Sequence, residues 1–375
     1  MKILFTGGGT GGHFYPIIAI AEEINELASK EHLLETQMYF VAPNPYDKKE
    51  LFEHGIEFKQ APAGKVRKHF SIKNFFDIFK TATGIIKATW QLYRIFPDVV
   101  FGKGGYGSFP TLFAARFLGI PVIIHESDSK PGKVNKWAGK FAKRIAVSYP
   151  DAAQYFPEDR VALTGNPIRK NISIPQTSGA HEFLKLEKQT PVILILGGSQ
   201  GAQRINEAIL GVLPELVKKY QVIHQTGKEH FKEISGTASV ILQDSPNKNR
   251  YKPFEYLNDL AMKMSAGISD VVISRAGSSI FEIATWGLPS IIIPIPEEIS
   301  HDQRSNAFTY ARSGACLVVE EKNLSPHVLM SSIDRLMDDE NTREEMKQAA
   351  KEFARPDAGE KIAREILNLA LKHEK

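Results

Sequence analysis

The stretch Leu4–Pro16, LFTGGGTGGHFYP, runs from apolar residues into a turn in which five of six residues are glycine, and then into a histidine. This order predicts a β-strand, a tight loop and the N-terminus of a helix, with Pro16 in its first turns. Such a loop presents backbone N–H groups at the positive end of the helix dipole, where anions bind. The stretch therefore predicts a phosphate-binding loop that opens a parallel α/β domain.

The spacing Gly7-x-Gly9-x-x-Gly12 also matches the dinucleotide fingerprint, but the partner of that fingerprint is missing. A dinucleotide site holds the ribose with an acidic residue at the end of the second strand. Here the second predicted strand, 38–41, is followed by Ala-Pro. A triphosphate-binding P-loop is excluded as well, because no Lys-Ser/Thr pair follows the glycines.

His13 ends the loop where the helix is predicted to begin. The positive end of the helix dipole disfavours an imidazolium ion, so a neutral imidazole is expected there. A neutral imidazole can act as a general base and take a proton from a hydroxyl group. A histidine that only caps or packs locally fits the position equally well, and both interpretations stay open.

Apolar runs alternate with stretches of helical spacing, which predicts βαβ units and parallel sheets buried on both faces. The pattern restarts at Val192–Leu196, an apolar strand followed by two glycines, and 375 residues are enough for two domains. We predict an α/β protein of two doubly wound, Rossmann-like domains that face each other across a cleft. The predicted parts are a first domain (1–168), a linker (169–190), a second domain (191–356) and a C-terminal helix that returns to the first domain (357–375).

Composition and motifs that are missing narrow the functional class of the protein further. The net charge of +4 is too small to predict nucleic-acid binding, and the only cysteine, Cys316, has an apolar flank typical of a core position. We find no secretion signal, no run of about 20 apolar residues, no metal-ligand spacing and no Gly-x-Ser-x-Gly elbow. We therefore expect no cofactor, no metal and no nucleic acid, and a protein that is cytoplasmic or lies on a membrane surface.

Further loops follow predicted strands in both halves of the chain. In open α/β sheets, ligands bind outside the carboxyl ends of the strands, so these loops are expected to line one ligand site. Glu282 lies three and four residues after Ser279 and Ser278, and it can either bind a ribose diol or cap its own helix. The loops are 102–108, 125–132, 197–202 and 275–279.

These loops resemble, in order and over nearly the whole chain, the MurG family of bacterial N-acetylglucosaminyltransferases. The resemblance implies a glycosyltransferase-B fold and inverting transfer of N-acetylglucosamine from UDP-N-acetylglucosamine to the 4-hydroxyl of undecaprenyl-diphosphate-MurNAc-pentapeptide (lipid I). The product, lipid II, serves peptidoglycan synthesis. The motifs are Gly8-Gly-Thr-Gly-Gly-His13, Gly104-Gly-Tyr with Ser108 and Pro110, His125-Glu with Pro131-Gly and Asn135-Lys, Thr164-Gly-Asn-Pro-Ile-Arg169, Gly197-Gly-Ser-Gln-Gly-Ala202, Ser274-Arg-Ala-Gly277, and Gln303 with Asn306-Ala.

The resemblance also implies individual site residues. Many members of the family have His-Glu-Gln-Asn where this chain has His-Glu-Ser-Asp, ending at Asp128. An aspartate cannot donate the amide hydrogen bonds, but it can accept one or act as a base. Asp128 is therefore a donor-sugar contact and, beside His13, a second candidate catalytic residue. The other implied contacts of UDP-N-acetylglucosamine are Thr10, Gly11, Gly12, Arg169, Ser199, Ser278, Ser279, Glu282 and Gln303.

Three other functions stay open. The first is another glycosyltransferase-B enzyme with a lipid acceptor, such as a diacylglycerol glycosyltransferase. The second is an isomerase of the UDP-N-acetylglucosamine 2-epimerase type, which needs no acceptor. The third is a protein that binds a nucleotide sugar without catalysis, against which the candidate base His13 argues.

Residues 65–96 carry seven basic residues and one acid, a net charge of +6, beside aromatic residues at helical spacing. One interpretation is an amphipathic helix with its aromatic side chains in the core. The other is a peripheral surface on the anionic cytoplasmic face of the inner membrane, with a helix break at Gly84. The predicted acceptor and membrane patch is Lys65, Arg67, Lys68, Phe70, Lys73, Phe75 and Phe76.

Overall fold

The computed structural model describes residues 1–32, 36–65, 72–198, 202–299 and 302–373. The chain forms two compact units: unit 1, residues 1–169 with 356–375, and unit 2, residues 170–355. Some predicted site residues lie outside the described residues, either entirely (Ser199, Arg67, Lys68, Phe70) or with their side chains (Lys73, Phe75).

Each unit is built on a parallel sheet. In the described ranges the sheet of unit 1 has the order β3-β2-β1-β4-β5-β6-β7, and that of unit 2 has the order β10-β9-β8-β11-β12-β13. The strands are β1 (Lys2–Thr6), β2 (Gln37–Ala42), β3 (Ile56–Gln60), β4 (Val99–Gly102), β5 (Val122–Glu126), β6 (Arg144–Val147), β7 (Val161–Leu163), β8 (Val192–Leu196), β9 (Gln221–Gln225), β10 (Tyr251–Phe254), β11 (Val271–Ser274), β12 (Ser290–Ile292) and β13 (Cys316–Val318).

Helices connect the strands and cover both faces of each sheet. Short 3₁₀ turns lie at 106–108, 248–250 and 321–323. The helices are α1 (Gly11–Lys30), α2 (Lys48–Glu53), α3 (Ile72–Ile95), α4 (Phe109–Phe117), α5 (Lys133–Ala138), α6 (Pro150–Ala153), α7 (Lys170–Ser173), α8 (Ala180–Leu184), α9 (Gln203–Lys219), α10 (Phe231–Ile241), α11 (Asp259–Ile268), α12 (Ser279–Trp286), α13 (Gln303–Arg312), α14 (Pro326–Asp338), α15 (Glu340–Phe353) and α16 (Ala358–His373). Among the described helices, none combines the length and apolar character that crossing a membrane requires.

Unbroken apolar strands form these sheets because both of their faces are buried. Along β8, Ile193 and Ile195 enter one hydrophobic cluster, while Leu194 enters the cluster on the opposite face. In unit 1, Phe5 and Leu4 of β1 divide between two clusters in the same way. The predicted fold class, two doubly wound α/β domains, is confirmed.

The ends of the units differ in detail from the sequence-based boundaries. The segment predicted as a linker contains α7 and α8 and packs into unit 2, where Ala180 and Leu184 are buried. The indole N–H of Trp286 donates to the carbonyl oxygen of Ile172 at 2.7 Å, which ties α7 to α12. α16 packs on α1 in unit 1, with Ile362 and Ile366 in the shared core.

The predicted break at Gly84 is wrong, because α3 continues through it. A Cβ atom at Gly84 would stand 1.7 Å from the carbonyl oxygen of Pro62, so only glycine allows this close approach. The buried stripe of α3 is formed by Gly84, Ala88 and Leu92. The glycine therefore brings the helix close to its neighbour and does not interrupt it.

Candidate functional site

The loop after β1 leads directly into the N-terminus of α1. Thr10 is the N-cap residue with an extended backbone, and its carbonyl oxygen accepts from the backbone N–H groups of His13 and Phe14 at 3.1 and 3.2 Å. Gly11 and Gly12 are the first two helical residues, whose N–H groups have no acceptor within a helix. These are the groups that an anion-binding loop needs.

Part of the glycine-rich backbone serves packing between two loops. A Cβ atom on Gly8 would lie 2.9 Å from the Cα of Gly107, and one on Gly105 would lie 2.8 Å from the carbonyl oxygen of Gly8. Gly9 has a φ of +92°, a conformation that favours glycine. The loops after β1 and β4 thus approach too closely for side chains, a reason for the glycines that sequence analysis missed.

His13 holds a neutral imidazole, as its position predicted. Its Nδ1 lies 2.9 Å from Thr10 Oγ1. Burial, and then the charge of Lys103, lower the pKa of His13 to about 3. The imidazole is therefore free of a second proton at neutral pH, but with this pKa it is a weak proton acceptor.

The loop after β5 is organised by the carboxylate of Glu126. Its Oε1 accepts from the backbone N–H of Asp128 at 3.0 Å, and its Oε2 accepts from Gly132 N and Asn135 Nδ2, each at 3.0 Å. Burial, together with the nearby charge of Asp128, raises the pKa of Glu126 to about 7. Asp128, the second candidate base, is partly buried and has its backbone fixed by this carboxylate.

His125 connects β5 to the segment that follows β7. The side chain is fully buried, and its Nε2 lies 3.0 Å from the carbonyl oxygen of Gly165 and 3.1 Å from Ser148 Oγ. Burial lowers the pKa of His125 well below its usual value. This histidine is therefore a neutral structural group that positions the motif 164–169.

Arg169, predicted as a contact of the donor nucleotide, is buried within unit 1. Its guanidinium carbon lies 4.0 Å from the ring centroid of Tyr15 on α1, a cation–π contact. Its Nη1 lies 3.8 Å from Glu50 Oε1 on α2. These contacts place the Arg169 side chain against α1 and α2, and its role toward the donor stays a proposal.

Lys103 is a site residue that sequence analysis missed. It follows β4 directly and is only 1% exposed. Its Nζ has no hydrogen-bond partner among the described residues. Burial lowers the pKa of Lys103 to about 8, against the opposing effect of the Glu126 and Asp128 carboxylates. The signal in the sequence is a lysine inside a glycine loop immediately after a buried strand.

In unit 2 the predicted residues gather at the N-terminus of α12, after β11. Ser278 is the N-cap residue and Ser279 the first residue of the helix. Ser279 Oγ lies 2.9 Å from Ser274 Oγ and donates to the carbonyl oxygen of Arg275 at 3.2 Å. Glu282 lies in the first turn of α12 and is partly buried.

Gln303 lies at the corresponding end of α13. Its Oε1 accepts from the backbone N–H of Ile295, just beyond β12, at 3.2 Å. On the same helix, Asn306 Nδ2 donates to the carbonyl oxygen of Ala276 at 3.2 Å. Because β8, β11 and β12 are neighbours, Ser278, Glu282 and Gln303 lie at the carboxyl ends of adjacent strands of the second sheet.

A cavity of about 280 Å³ lies beside these strand ends, and the sequence does not predict it. Glu321, one of the residues that line it, forms an ion pair with Arg275, whose Nη1 donates to the carbonyl oxygen of Ile293 at 3.1 Å. No group of three His, Cys, Asp or Glu side chains able to hold a metal ion occurs in the described part of the chain. The cavity is lined by 294–298, Arg304 and 320–322.

Two parallel-sheet units, each with glycine-rich loops and helix N-termini at the carboxyl ends of its strands, are typical of glycosyltransferases that use nucleotide sugars. The model of the glycosyltransferase family 28 N-terminal domain matches residues 3–147, and that of the family 28 C-terminal domain matches residues 192–362. The chain therefore belongs to glycosyltransferase family 28.

Full-length relatives carry a more specific name. A protein of Pediococcus pentosaceus is 34% identical over 364 residues, which is 96% of this chain and 98% of that protein. A protein of Bacillus licheniformis is 34% identical over 365 residues, which is 96% of this chain and 97% of that protein. Both are named UDP-N-acetylglucosamine--N-acetylmuramyl-(pentapeptide) pyrophosphoryl-undecaprenol N-acetylglucosamine transferase. The resemblance to this family of transferases is thereby confirmed.

Solved structures agree on the architecture. The crystal structure of Acinetobacter baumannii MurG has a TM-score of 0.74 and 26% identity, covering 98% of this chain and 99% of that one. Staphylococcus aureus MnaA in complex with UDP has a TM-score of 0.71 at 16% identity, and the match covers 98% of this chain and 97% of that one. The second likeness is one of fold alone.

Proposed function

We propose that this chain transfers N-acetylglucosamine from UDP-N-acetylglucosamine to the 4-hydroxyl of the MurNAc residue of lipid I, with inversion, and so makes lipid II. The observation that carries this proposal is the 34% identity, over nearly the full length of both chains, to proteins named for that transfer. The structure supports it with two α/β units that each present loops suited to a phosphorylated ligand.

We assign the donor chiefly to unit 2. The N-termini of α12 and α13 lie at the carboxyl ends of the strands, where parallel sheets bind ligands, and their helix dipoles favour a diphosphate. The Glu282 carboxylate can accept two hydrogen bonds from a ribose diol. The same proposal gives donor contacts to Gln303, Ser278, Ser279 and Ser199 in unit 2, and to Thr10, Gly11, Gly12, Asp128 and Arg169 in unit 1.

The reaction requires a proton acceptor and a stabilised leaving group. A base removes the proton from the acceptor hydroxyl, the oxygen attacks the anomeric carbon, and the bond from that carbon to the diphosphate oxygen breaks as UDP leaves. Helix N-termini can stabilise the departing charge. His13, which is neutral, and Asp128, whose loop is fixed by Glu126, are the two candidates for the base.

The acceptor side and the membrane are assigned to unit 1, at α3. The side chains of Ile86, Trp90 and Tyr93 are 71%, 58% and 70% exposed, so the interpretation that places these residues in the core is wrong. They border an apolar groove of about 530 Å³ between α3 and α4. Lys80 and Lys87 are exposed on the same helix. Aromatic and apolar side chains beside lysines suit the surface of an anionic membrane, and the proposed location is its cytoplasmic face.

The transfer reaction is tested with labelled UDP-N-acetylglucosamine and a water-soluble lipid I analogue. We expect label in a lipid-linked disaccharide and one UDP released per disaccharide. A diacylglycerol acceptor in place of lipid I should receive no label. Conversion of UDP-N-acetylglucosamine into UDP-N-acetylmannosamine, without any acceptor, would instead identify an epimerase.

A further inference from the structure

A cluster of titratable side chains lies where the central strands of the first sheet end. β1, β4 and β5 are adjacent, and the residues that follow or end them include His13, Lys103 and Glu126. The backbone N–H of Lys103 donates to the carbonyl oxygen of Thr6 at 2.8 Å, which fixes the start of its loop. Asp128 completes the cluster from the loop after β5.

Lys103 supplies positive charge to a cluster that contains two carboxyl groups. Two carboxyl groups, Glu126 and Asp128, lie close enough that the charge of one opposes ionisation of the other. Burial, and then the charge of Lys103, lower the pKa of both His13 and His125, so both imidazoles are neutral. Lys103 is thus the one cation of the cluster among the described residues.

Glu126 needs its charge for a structural reason. Its carboxylate accepts three N–H groups, from Asp128, Gly132 and Asn135, and an ionised carboxylate accepts such bonds best. A protonated carboxyl group would turn one oxygen into a donor and weaken this set. The counter-charge that favours ionised Glu126 is the buried ammonium group of Lys103, which spends no hydrogen bond on any described residue.

We propose that Lys103 is a positioning residue of the transfer reaction: its buried ammonium group favours the ionised form of Glu126, and Glu126 in turn holds the loop of Asp128 at the carboxyl end of the first sheet. This inference rests on the proposed function, because Asp128 is placed in the site of that reaction. Lys103 acts through Glu126 and does not itself exchange a proton with the acceptor.

The sign of the pH dependence follows from the two groups. As pH falls, Glu126 takes up a proton near neutrality because burial raises its pKa, and the loop loses its acceptor. As pH rises, Lys103 loses its proton below the usual lysine range because burial lowers its pKa, and Glu126 loses its counter-charge. Turnover should therefore be highest in a narrow window around neutral to mildly alkaline pH.

The test compares Lys103→Met and Lys103→Arg with a matched control, Lys140→Met, an exposed lysine of the same unit. For each variant, kcat is measured across the pH range with saturating substrates. We expect Lys103→Met to move the acid limb upward by about one pH unit, the usual size of the effect of a nearby opposite charge, and to lower kcat at neutral pH about fivefold. Lys103→Arg should restore kcat and move the alkaline limb upward, because a guanidinium group does not lose its proton there. Lys140→Met should match the unmodified protein.

A second readout does not depend on catalysis. In protein labelled with ¹³C at the side-chain carboxyl groups of Glu and Asp, the Glu126 resonance, assigned with Glu126→Gln, should titrate at higher pH in Lys103→Met. Unchanged Glu126 titration would overturn the inference. If Lys103→Met fails to fold, the alkaline limb of the kcat profile of Lys103→Arg provides the test. An alkaline limb at the wild-type position would also overturn the inference. Wild-type protein that makes no disaccharide would instead refute the proposed function. The Glu126 titration would then still test whether Lys103 favours ionised Glu126.

Discussion

Glu282 is the single residue on which the donor assignment depends most. A carboxylate in the first turn of a helix can cap that helix or bind a ribose diol, and position alone does not separate the two roles. If it binds the ribose, Glu282→Ala should raise the KM for UDP-N-acetylglucosamine about 10- to 150-fold. This range corresponds to about 1.5–3 kcal/mol for a hydrogen bond to a charged group.

Steady-state kinetics and calorimetric donor titration provide the measurement for Glu282. Glu344→Ala, which removes an exposed glutamate from α15, is the matched control and should leave the donor KM unchanged. Donor affinity of Glu282→Ala equal to that of the control would reject the ribose contact and leave the capping role.

The candidate base His13 makes a specific prediction for the pH dependence of turnover. Removing a general base costs about 10²–10⁴-fold in kcat, and we expect a loss of this size from either His13→Ala or Asp128→Ala. Because burial lowers the pKa of His13 to about 3, its imidazole is already unprotonated at mildly acidic pH. The acid limb of kcat should therefore keep its position in His13→Ala.

Turnover at saturating donor and acceptor, followed against pH, gives this comparison. Near-normal kcat in both variants would show that neither residue is the base. A shift of the acid limb in His13→Ala would show that the imidazole titrates close to neutrality, contrary to the lowered pKa.

At the scale of elements, α3 offers a matched pair of glycine substitutions with α10. Gly84→Ala should destabilise the protein by about 1–3 kcal/mol, because the new methyl group would overlap the carbonyl oxygen of Pro62. Gly236→Ala in α10 meets nothing within 4 Å and should stabilise it by about 0.5–1 kcal/mol. Urea unfolding measures both changes, and equal effects of the two substitutions would contradict the close approach of α3.

The outer face of α3 predicts binding to anionic membranes. Lys65/Lys80/Lys87→Glu should weaken sedimentation with anionic liposomes at least about 100-fold, since each basic residue near such a surface contributes about 1 kcal/mol. Lys228/Lys232/Lys248→Glu changes the charge equally on exposed lysines of unit 2 and should bind like the wild type. Equal binding by both variants, or wild-type protein that ignores anionic lipid, would show that the membrane is met elsewhere.

At the scale of the whole molecule, the central strands could be predicted from sequence, whereas three of the four edge strands in the described part of the chain could not. β1, β4 and β8 are continuous apolar runs because both of their faces are buried. β3, β7 and β10 lie at sheet edges: β3 carries exposed polar residues, β7 is only three residues long, and β10 contains Pro253, which is tolerated at an edge. Loop motifs carried the family resemblance because their residue types are constrained by backbone geometry and ligand chemistry.

What sequence could not give are contacts between residues distant along the chain. Gly84 looked like a helix breaker because its neighbour Pro62 was unknown. Lys103 resembles an ordinary loop residue in the sequence because its burial depends on β4 lying beside β5. The exposure of Trp90 likewise depends on which stripe of α3 meets the sheet. Tertiary packing decided each of these cases.

The most direct test of the central claim is the covalent structure of the reaction product. The protein is incubated with UDP-N-acetylglucosamine and a lipid I analogue, and the lipid-linked product is isolated and examined by nuclear magnetic resonance. We predict N-acetylglucosamine joined through a β linkage to the 4-hydroxyl of MurNAc, the inverted anomer of the donor. An α linkage, attachment at another hydroxyl, or no disaccharide from active, folded protein would contradict the account.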